Sequence, residues 1–472
     1  MRKTAIFVLL AAISSQPATA QPHQWSLREC CDYAVSHSIS IRQHENQQRQ
    51  QQVHLSTARN SRLPDISASA GQSFSFGRSL TADNTYSNTN TSSTSFSLGT
   101  SIPLFTGFQI PNQIKLQQLN LEAAIQDLEK AKNDIRMQVA QNYVQILYNM
   151  EMLDVARRQI AIDSMQVVRL QAMVDNGKAS GVQLSQQQAT LAQSRLTATQ
   201  AEGTLNTSLL TLTQLLELPS ADGFTIVRPS APTPHSAPEG ATIAGKPSLQ
   251  ANEATAGGTV GLVAAVTTEQ VPSPETVYAE ALGVKPEIAA QQLRLRATDN
   301  NIKIAQAGYM PTLSLSGSLG SNYYTNSEFS SDGFGRQLKN NFSQYIGLNL
   351  SIPIFNRFQT RNNVRTARIE QENQRLQLDI TKKTLYKEIQ QVCQNTLTAQ
   401  AKYKSSATAA QSSYDAFTLM QAKYENGKAN ITEFNEAKNN YLRAESDHVQ
   451  ASYELLYQHA LLQFYRGKDI NF

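Results

Sequence analysis

The chain alternates between two hydrophobic periods. Residues 27–60 are polar, Gln-rich and free of Gly and Pro, which predicts a helix that Pro64 ends, because the proline ring removes a donor and clashes with the preceding turn. From Pro64 the period falls to two: Ile66, Ala68 and Ala70 alternate with Asp65, Ser67 and Ser69. A second alternating run holds Phe96, Leu98, Thr100, Ile102 and Leu104, and Leu80–Ser93 between the two runs is a polar loop. Leu313 and Leu315, a loop over Thr325–Asn341, then Ile346, Leu348, Leu350, Ile352 and Ile354 repeat the pattern. These spans predict strands of roughly 10–13 residues, apolar on one side and Ser, Asn, Gly or Thr on the other. Residues 112–174 then run without Pro or Gly, with Leu121, Ile125, Leu128, Ile135, Val139, Ile146, Met150, Leu153 and Ile160 at mostly 3-, 4- and 7-residue spacings, broken by Lys132 and Asn142. Such a helix would extend about 95 Å and pack as a coiled coil. Its counterpart runs through Leu378, Leu385, Ile389, Val392, Thr396, Ala399 and Tyr403. Gly177 and Gly427 end the two runs at tight turns, and a second long helix returns from each, to about Leu218-Pro219 and Gly467.

The chain is a tandem duplication. Ser101-Ile102-Pro103-Leu104-Phe105 reappears as Ser351-Ile352-Pro353-Ile354-Phe355, and Asn176-Gly177-Lys178-Ala179 as Asn426-Gly427-Lys428-Ala429, both at an offset of 250 residues. Upstream, Leu63-Pro64-Asp65-Ile66-Ser67 answers Met310-Pro311-Thr312-Leu313-Ser314 at 247, as Ala34 answers Ala281, Ile41 answers Ile288 and Ala58 answers Ala305. The three-residue slip falls between Pro64 and Ser101. Segments follow as 21–218 for the first repeat, 219–274 for a low-complexity linker containing PSAPTPHSAP, 275–467 for the second repeat and 468–472 for a tail.

Strands with one apolar face suit either a soluble sandwich or a lipid-facing barrel, and about 9–11 tilted residues cross a bilayer. Phe105, Phe108, Tyr323, Tyr324, Phe355 and Phe358 cluster near strand ends, with Pro103 and Pro353, as interfacial girdles do. Open edges are not tolerated in lipid and small barrels need about eight strands, so four strands per chain demand an assembly: two chains give eight, three give twelve.

Composition narrows the class. The 472 residues are 40% hydrophobic and 17% charged, with net charge +4 and no long basic run, so no nucleic-acid footprint is visible. Beyond the first twenty residues no continuous apolar stretch suits a spanning helix. Three cysteines, Cys30, Cys31 and Cys393, show no Cys-x-x-Cys spacing and read as structural. Gly177-Lys178 and Gly427-Lys428 lack the full phosphate-loop pattern, no His-Glu-x-x-His or Gly-x-Ser-x-Gly occurs, and His448 and His459 are expected on the surface. No enzyme, cofactor or metal site is expected. Arg2 and Lys3, the apolar Thr4–Ala12 and the small Ala18-Thr19-Ala20 predict a secretory signal peptide over 1–20, cleaved before Gln21, with no cysteine there to take a lipid.

Signal peptide, paired helix–strand–strand–helix halves, Ser-Ile-Pro-x-Phe strand ends, Asn-Gly-Lys-Ala turns and Lys285-Pro286-Glu287-Ile288 together resemble the TolC-type outer-membrane efflux family over about 27–218 and 275–467. The resemblance implies an α+β membrane fold. Three chains would build a 12-stranded outer-membrane β-barrel continued by a periplasmic α-helical coiled-coil barrel. It implies a Gram-negative outer-membrane exit duct for drugs, metals or proteins, working with a periplasmic adaptor and an inner-membrane pump of RND or ABC type in tripartite efflux or type I secretion. The competing reading is an exported trimeric coiled-coil adhesin or periplasmic scaffold, which leaves two copies of paired amphipathic strands unexplained. The tips would be adaptor-docking sites: Gly177, Lys178, Ala179 and Ser180 in one, Gly427, Lys428 and Ala429 in the other, with small residues admitting a partner helix. Glu433 and Glu436, three apart and so on one helix face, match two acids that the family pattern points into a narrowed entrance. Their first-repeat counterparts are the neutral Gln183 and Gln186, so charge stands in one copy only. Threefold symmetry would gather six carboxylates into a negative ring that attracts cations.

Overall fold

The computed structural model describes residues 24–80, 84–88, 90–228, 270–327 and 330–470. The signal peptide and its cleavage site lie outside the described residues, as does most of the linker. In chain order the elements are β1 (Gln24–Trp25), α1 (Leu27–His37), α2 (Ile39–Asn60), β2 (Asp65–Ser75), β3 (Arg78–Leu80), β4 (Tyr86–Asn88), β5 (Thr91–Thr106), α3 (Gln109–Asp175), α4 (Gly181–Leu215) and β6 (Thr225–Ile226). The second half adds α5 (Pro274–Val284), α6 (Pro286–Ala307), β7 (Thr312–Asn326), α7 (Phe334–Asn340), β8 (Ser343–Ser351), α8 (Gln359–Glu425) and α9 (Ile431–Tyr465). The duplication is plain in these bounds. α1 and α2 recur 247 residues on as α5 and α6, and α3 and α4 recur 250 on as α8 and α9, with equal lengths of 67 and 35 residues for the long pair.

The helix expected over 27–60 is two helices. A capping box between Ser26 and Glu29 starts α1, and Ser38 breaks the run with φ −57 and ψ 129. The break recurs at Lys285, φ −73 and ψ 120, where the following Pro286 excludes the helical region. Ser38 has no proline after it, so residue type alone did not mark the first break.

Two compact units gather these elements: Ile39–Asn133 with Pro274–Gln390, and Met1–Ser38 with Asp134–Ser273 and Gln391–Phe472. Each draws on both repeats. The first holds a four-stranded antiparallel sheet in the order β2-β5-β7-β8. Registers such as Ala68↔Leu98↔Leu319 and Ile102↔Leu315↔Leu348 line up the apolar side chains on one face. The other face is Ser67, Ser69, Ser97, Gly99, Ser316, Ser318, Asn349 and their like. Strand lengths are 11, 16, 15 and 9 residues, a wider spread than expected. β8 stops at Ser351, so Ile352-Pro353-Ile354 lies beyond it; proline has no N–H to give a ladder. In β5 the register slips between Pro103 and Phe105, leaving Leu104 as a bulge. The expected loops are partly ordered: β3 and β4 pair within 78–88, and α7 seats Phe334 edge-on against Tyr323 at 5.2 Å.

The second unit is helical, with β1 and β6 as a parallel pair. Tyr143 ties that pair to α3, its hydroxyl donating to the carbonyls of Val227 at 2.6 Å and Trp25 at 3.2 Å; burial pushes its phenol pKa up. Cys30, Cys31 and Cys393 are buried thiols. Burial pushes the Cys30 thiol up to about 12 and Cys31 to about 11, so neither is a ready nucleophile. His448, expected on the surface, is half-buried instead: its ring lies 5.1 Å from Tyr403, Nδ1 is 3.2 Å from Ser406 Oγ, and burial lowers its pKa. Among the described residues no helix is long and apolar enough to cross a membrane.

Candidate functional site

Both helical hairpins turn by the same backbone device. Gly177, φ +69, donates to the Val174 carbonyl at 2.9 Å, and Lys178 donates to the Met173 carbonyl at 2.7 Å. Gly427, also φ +69, donates to Tyr424 at 3.1 Å, and Lys428 to Lys423 at 2.8 Å. These are the paired bonds of a Schellman stop, which needs a left-handed residue at this place. A Cβ built on either glycine meets nothing within 4 Å, so backbone conformation, not space, selects glycine. Lys178, Ser180 and Lys428 are exposed, and Ala179 and Ala429 half-buried. Gly177→Ala and Gly427→Ala are each expected to lower stability by only about 1–2 kcal/mol, read as a shift of the denaturant midpoint in detergent.

Each return helix opens with a capping box, which gives positions 183 and 433 a structural role. Ser180 accepts from the Gln183 amide while Gln183 Oε1 accepts from the Ser180 N–H at 3.2 Å. Asn430 Oδ1 accepts from the Glu433 N–H at 2.9 Å, and Glu433 Oε2 accepts from the Asn430 N–H at 3.1 Å. Gln186 and Glu436 take no part in these boxes. Both are exposed. Glu433 and Glu436 border a groove of about 350 Å3 with Ser413, Ala416, Met420 and Ala437. Each acid or amide pair thus stays at its own turn.

Close behind the turns lies a constellation that the sequence reading passed over. Lys438 of α9 forms an ion pair with Asp163 of α3, and both side chains have 0% exposure. Asp163 also accepts from Ser194 at 2.5 Å and Gln187 at 3.3 Å, both on α4, and Gln187 accepts from Asn435 at 3.3 Å. Around it Ile162 packs on the aromatic cluster Phe417, Tyr424 and Phe434. Arg169 donates to the Glu425 carbonyl at 3.0 Å and lies 5.0 Å over the Tyr424 ring. A signal was present: Asp163 stands three after Ile160 and seven before Leu170, and Lys438 stands between Phe434 and Leu442 at spacings of four. Charges on an apolar stripe are buried pairs until shown otherwise.

The aromatic pairs at the strand ends are also duplicated. Phe105 and Phe108 meet edge-to-face at 5.3 Å, Phe355 and Phe358 at 5.5 Å, and Phe108 and Phe358 both take positive φ, 65° and 63°. Pro103 sits at the bulge and Pro353 past the end of β8.

The sequence pattern of the family described as Outer membrane efflux protein matches residues 32–217 and 277–468. Over 190 residues the chain is 27% identical to outer membrane protein OprJ of Pseudomonas aeruginosa, a stretch covering 40% of this chain and 37% of that relative. Among solved structures, a membrane protein from Pseudomonas aeruginosa aligns with TM-score 0.70 and 20% identity, covering 93% of this chain and 92% of that one. The CmeC outer membrane channel of Campylobacter jejuni aligns with TM-score 0.71 and 17% identity, covering 94% and 87%. VceC of Vibrio cholerae gives TM-score 0.70 and 17% identity, covering 94% and 97%. Those alignments share the fold of two strand pairs and two long hairpins, and the family pattern falls on both repeats: the chain belongs to the outer membrane efflux protein family.

Proposed function

We propose that this chain forms, as a homotrimer, the outer-membrane exit duct of a tripartite efflux or type I secretion system. The observation that carries the reading is the four-stranded sheet. Its apolar face is open to solvent in one chain, with Ile66 68%, Ile346 83% and Leu348 68% exposed, and β2 and β8 are its outer strands. An apolar face wants lipid, and free edges in lipid want further strands. Three copies supply twelve. Among the four strands the sole charged residue is Asp65, at the start of β2, so the hydroxyl-lined face offers a wet, nearly neutral lumen. The reading assigns no chemical step to any residue. Its signal peptide directs the chain through the inner membrane, and the family and OprJ support residence in a Gram-negative outer membrane. Reconstitution in planar bilayers tests it: discrete conductance steps from a trimer by native mass spectrometry are expected. A stable, water-soluble monomer would sink the architecture.

A neutral lumen moves any ion preference to the helical part. In this reading Glu433 and Glu436 ring the narrowed entrance and the hairpin tips dock a periplasmic adaptor that links to the inner-membrane pump. Glu433→Gln keeps the capping box, because Gln183 shows that an amide fills it. The double variant Glu433→Gln/Glu436→Gln is therefore expected to fold normally and to lose cation preference and divalent block. Identical reversal potentials for variant and parent count against the ring. Bulky residues at both Gly177 and Gly427 are expected to abolish export while the barrel still inserts; unchanged export would refute docking at the tips.

A further inference from the structure

Where the strands hand over to the long helices, the two repeats differ in charge. Past the end of β8 the chain runs Ile354-Phe355-Asn356-Arg357-Phe358 into α8, and Arg361, Arg365 and Arg368 follow in the first turns of that helix. The positions 250 before these four arginines hold Gly107, Pro111, Lys115 and Gln118. All four arginines are exposed, and among the described residues none has an ion pair within the chain. Arg361 instead lies over the Phe358 ring at 5.7 Å. The arrangement is locally unfavourable. Arg361 and Arg365 stand four apart and Arg365 and Arg368 three apart, so like charges are neighbours on one face. The first turn of α8, where a helix favours acids, has none, and the first acid of the helix is Glu370. An anion from outside the chain relieves both conflicts.

We infer that Arg357, Arg361 and Arg365 bind the phosphate of an anionic phospholipid in the periplasmic leaflet of the outer membrane, with Phe355 and Phe358 against its acyl chains. The inference rests on the outer-membrane reading and names a lipid at the foot of its barrel. Continuity of apolar surface points to that occupant. Ile346, Leu348 and Leu350 alternate along β8, and beyond it Ile354 and Phe355 are 95% and 71% exposed, leading directly to the cations. Phe358 is exposed too and meets Phe355 edge-to-face at 5.5 Å. Depth selects among the arginines. At about 1.5 Å per residue, Arg361 lies about 5 Å and Arg365 about 10 Å past Phe358, and the headgroup layer is about 5–8 Å deep. The long arginine stem lets Arg365 reach back into that layer, whereas Arg368, about 15 Å along, stands beyond it. Guanidinium forks match phosphate oxygens in pairs, and aromatic rings beside them suit the membrane boundary. In the first repeat Phe108 takes the same turn with only Lys115 behind it, so the site occurs once per chain.

Native mass spectrometry of the full mature chain in detergent, exchanged with phosphatidylglycerol or phosphatidylethanolamine, tests this by counting the lipids the protein retains. The parent is expected to retain about tenfold more phosphatidylglycerol or better, near one per chain. Arg357→Gln/Arg361→Gln/Arg365→Gln should abolish that preference. Lys383→Gln/Lys387→Gln/Lys404→Gln, which removes as much charge farther along α8, should keep it. All six side chains are exposed, so neither variant disturbs packing. Excess inorganic phosphate should leave the lipid in place; its displacement would overturn a lipid as the occupant. Equal retention of the two lipids by the parent, or equal losses in both variants, also overturns the site. So does an arginine variant that binds phosphatidylglycerol like the parent but shifts the reversal potential in planar bilayers, because the arginines then line the pore. Any of these results on a conducting trimer removes the lipid site alone, whereas a water-soluble monomer removes the outer-membrane reading.

Discussion

Lys438→Met alone is expected to destabilise the helical unit by about 3–5 kcal/mol, because it leaves the Asp163 carboxylate buried without its cation. The pair is inaccessible to solvent on both sides, so screening by salt or water does not soften the loss. Asp163→Leu alone is expected to act alike, stranding the ammonium. The double variant Asp163→Leu/Lys438→Met should recover most of the loss, because an apolar pair of similar volume carries no desolvation penalty. A residual deficit of about 1 kcal/mol is expected from Gln187, whose amide loses its acceptor. Ser194 keeps a partner, since its hydroxyl also reaches the Thr190 carbonyl at 3.1 Å. Denaturant unfolding of the detergent-solubilised protein, followed by far-UV circular dichroism, reads all three. Single variants within about 0.5 kcal/mol of the parent would show that the pair is wet.

Gly107→Ala is expected to be the most damaging single-methyl change in the sheet-bearing unit, at about 2–5 kcal/mol. Gly107 has φ +60, where an L-residue costs about 1–2 kcal/mol. A Cβ there would also stand 2.6 Å from Met310 Cβ and 2.9 Å from the Ala307 carbonyl oxygen, an overlap that moves backbone at about 1–3 kcal/mol. Conformation alone does not forbid a side chain: Arg357, 250 residues on, takes φ +54 at the same turn. At Gly107 the Met310 Cβ and the Ala307 carbonyl add a steric share to the conformational one. Gly107→Ala/Met310→Gly removes the overlapping Met310 Cβ and should recover part of the steric share, while Met310→Ala, which keeps that Cβ, should recover little, and Gly177→Ala, with open space around it, loses only the conformational share. Equal losses at Gly107 and Gly177 in denaturant midpoints would remove the steric argument.

Much of the fold is local and was legible for that reason. The 250-residue offset depends only on matching words, and it located both long hairpins to within a few residues. Alternation over Ile66–Ala70 and Phe96–Leu104 is a property of the pleat, and gave the apolar and hydroxyl faces directly. Gly177 and Gly427 mark their turns because a left-handed residue there is a backbone requirement. Capping at Ser180 and Asn430 lies within three residues of its partner, so the roles of Gln183 and Glu433 in it also belong to the sequence.

What needed the tertiary structure is what depends on residues far apart in the chain. The break at Ser38 has no proline to announce it, whereas its equivalent Lys285 does. Asp163 and Lys438 are 275 positions apart, and only the packing of α9 on α3 and α4 makes two ordinary charges into one buried pair. His448 is half-buried for the same reason, because Tyr403 and Ser406 across the hairpin cover it. The two repeats have nearly the same pattern but different surroundings. Sequence determined that there are two equal hairpins; tertiary packing decided that one is covered within the chain and the other left open, since a single chain has only one α9 to place.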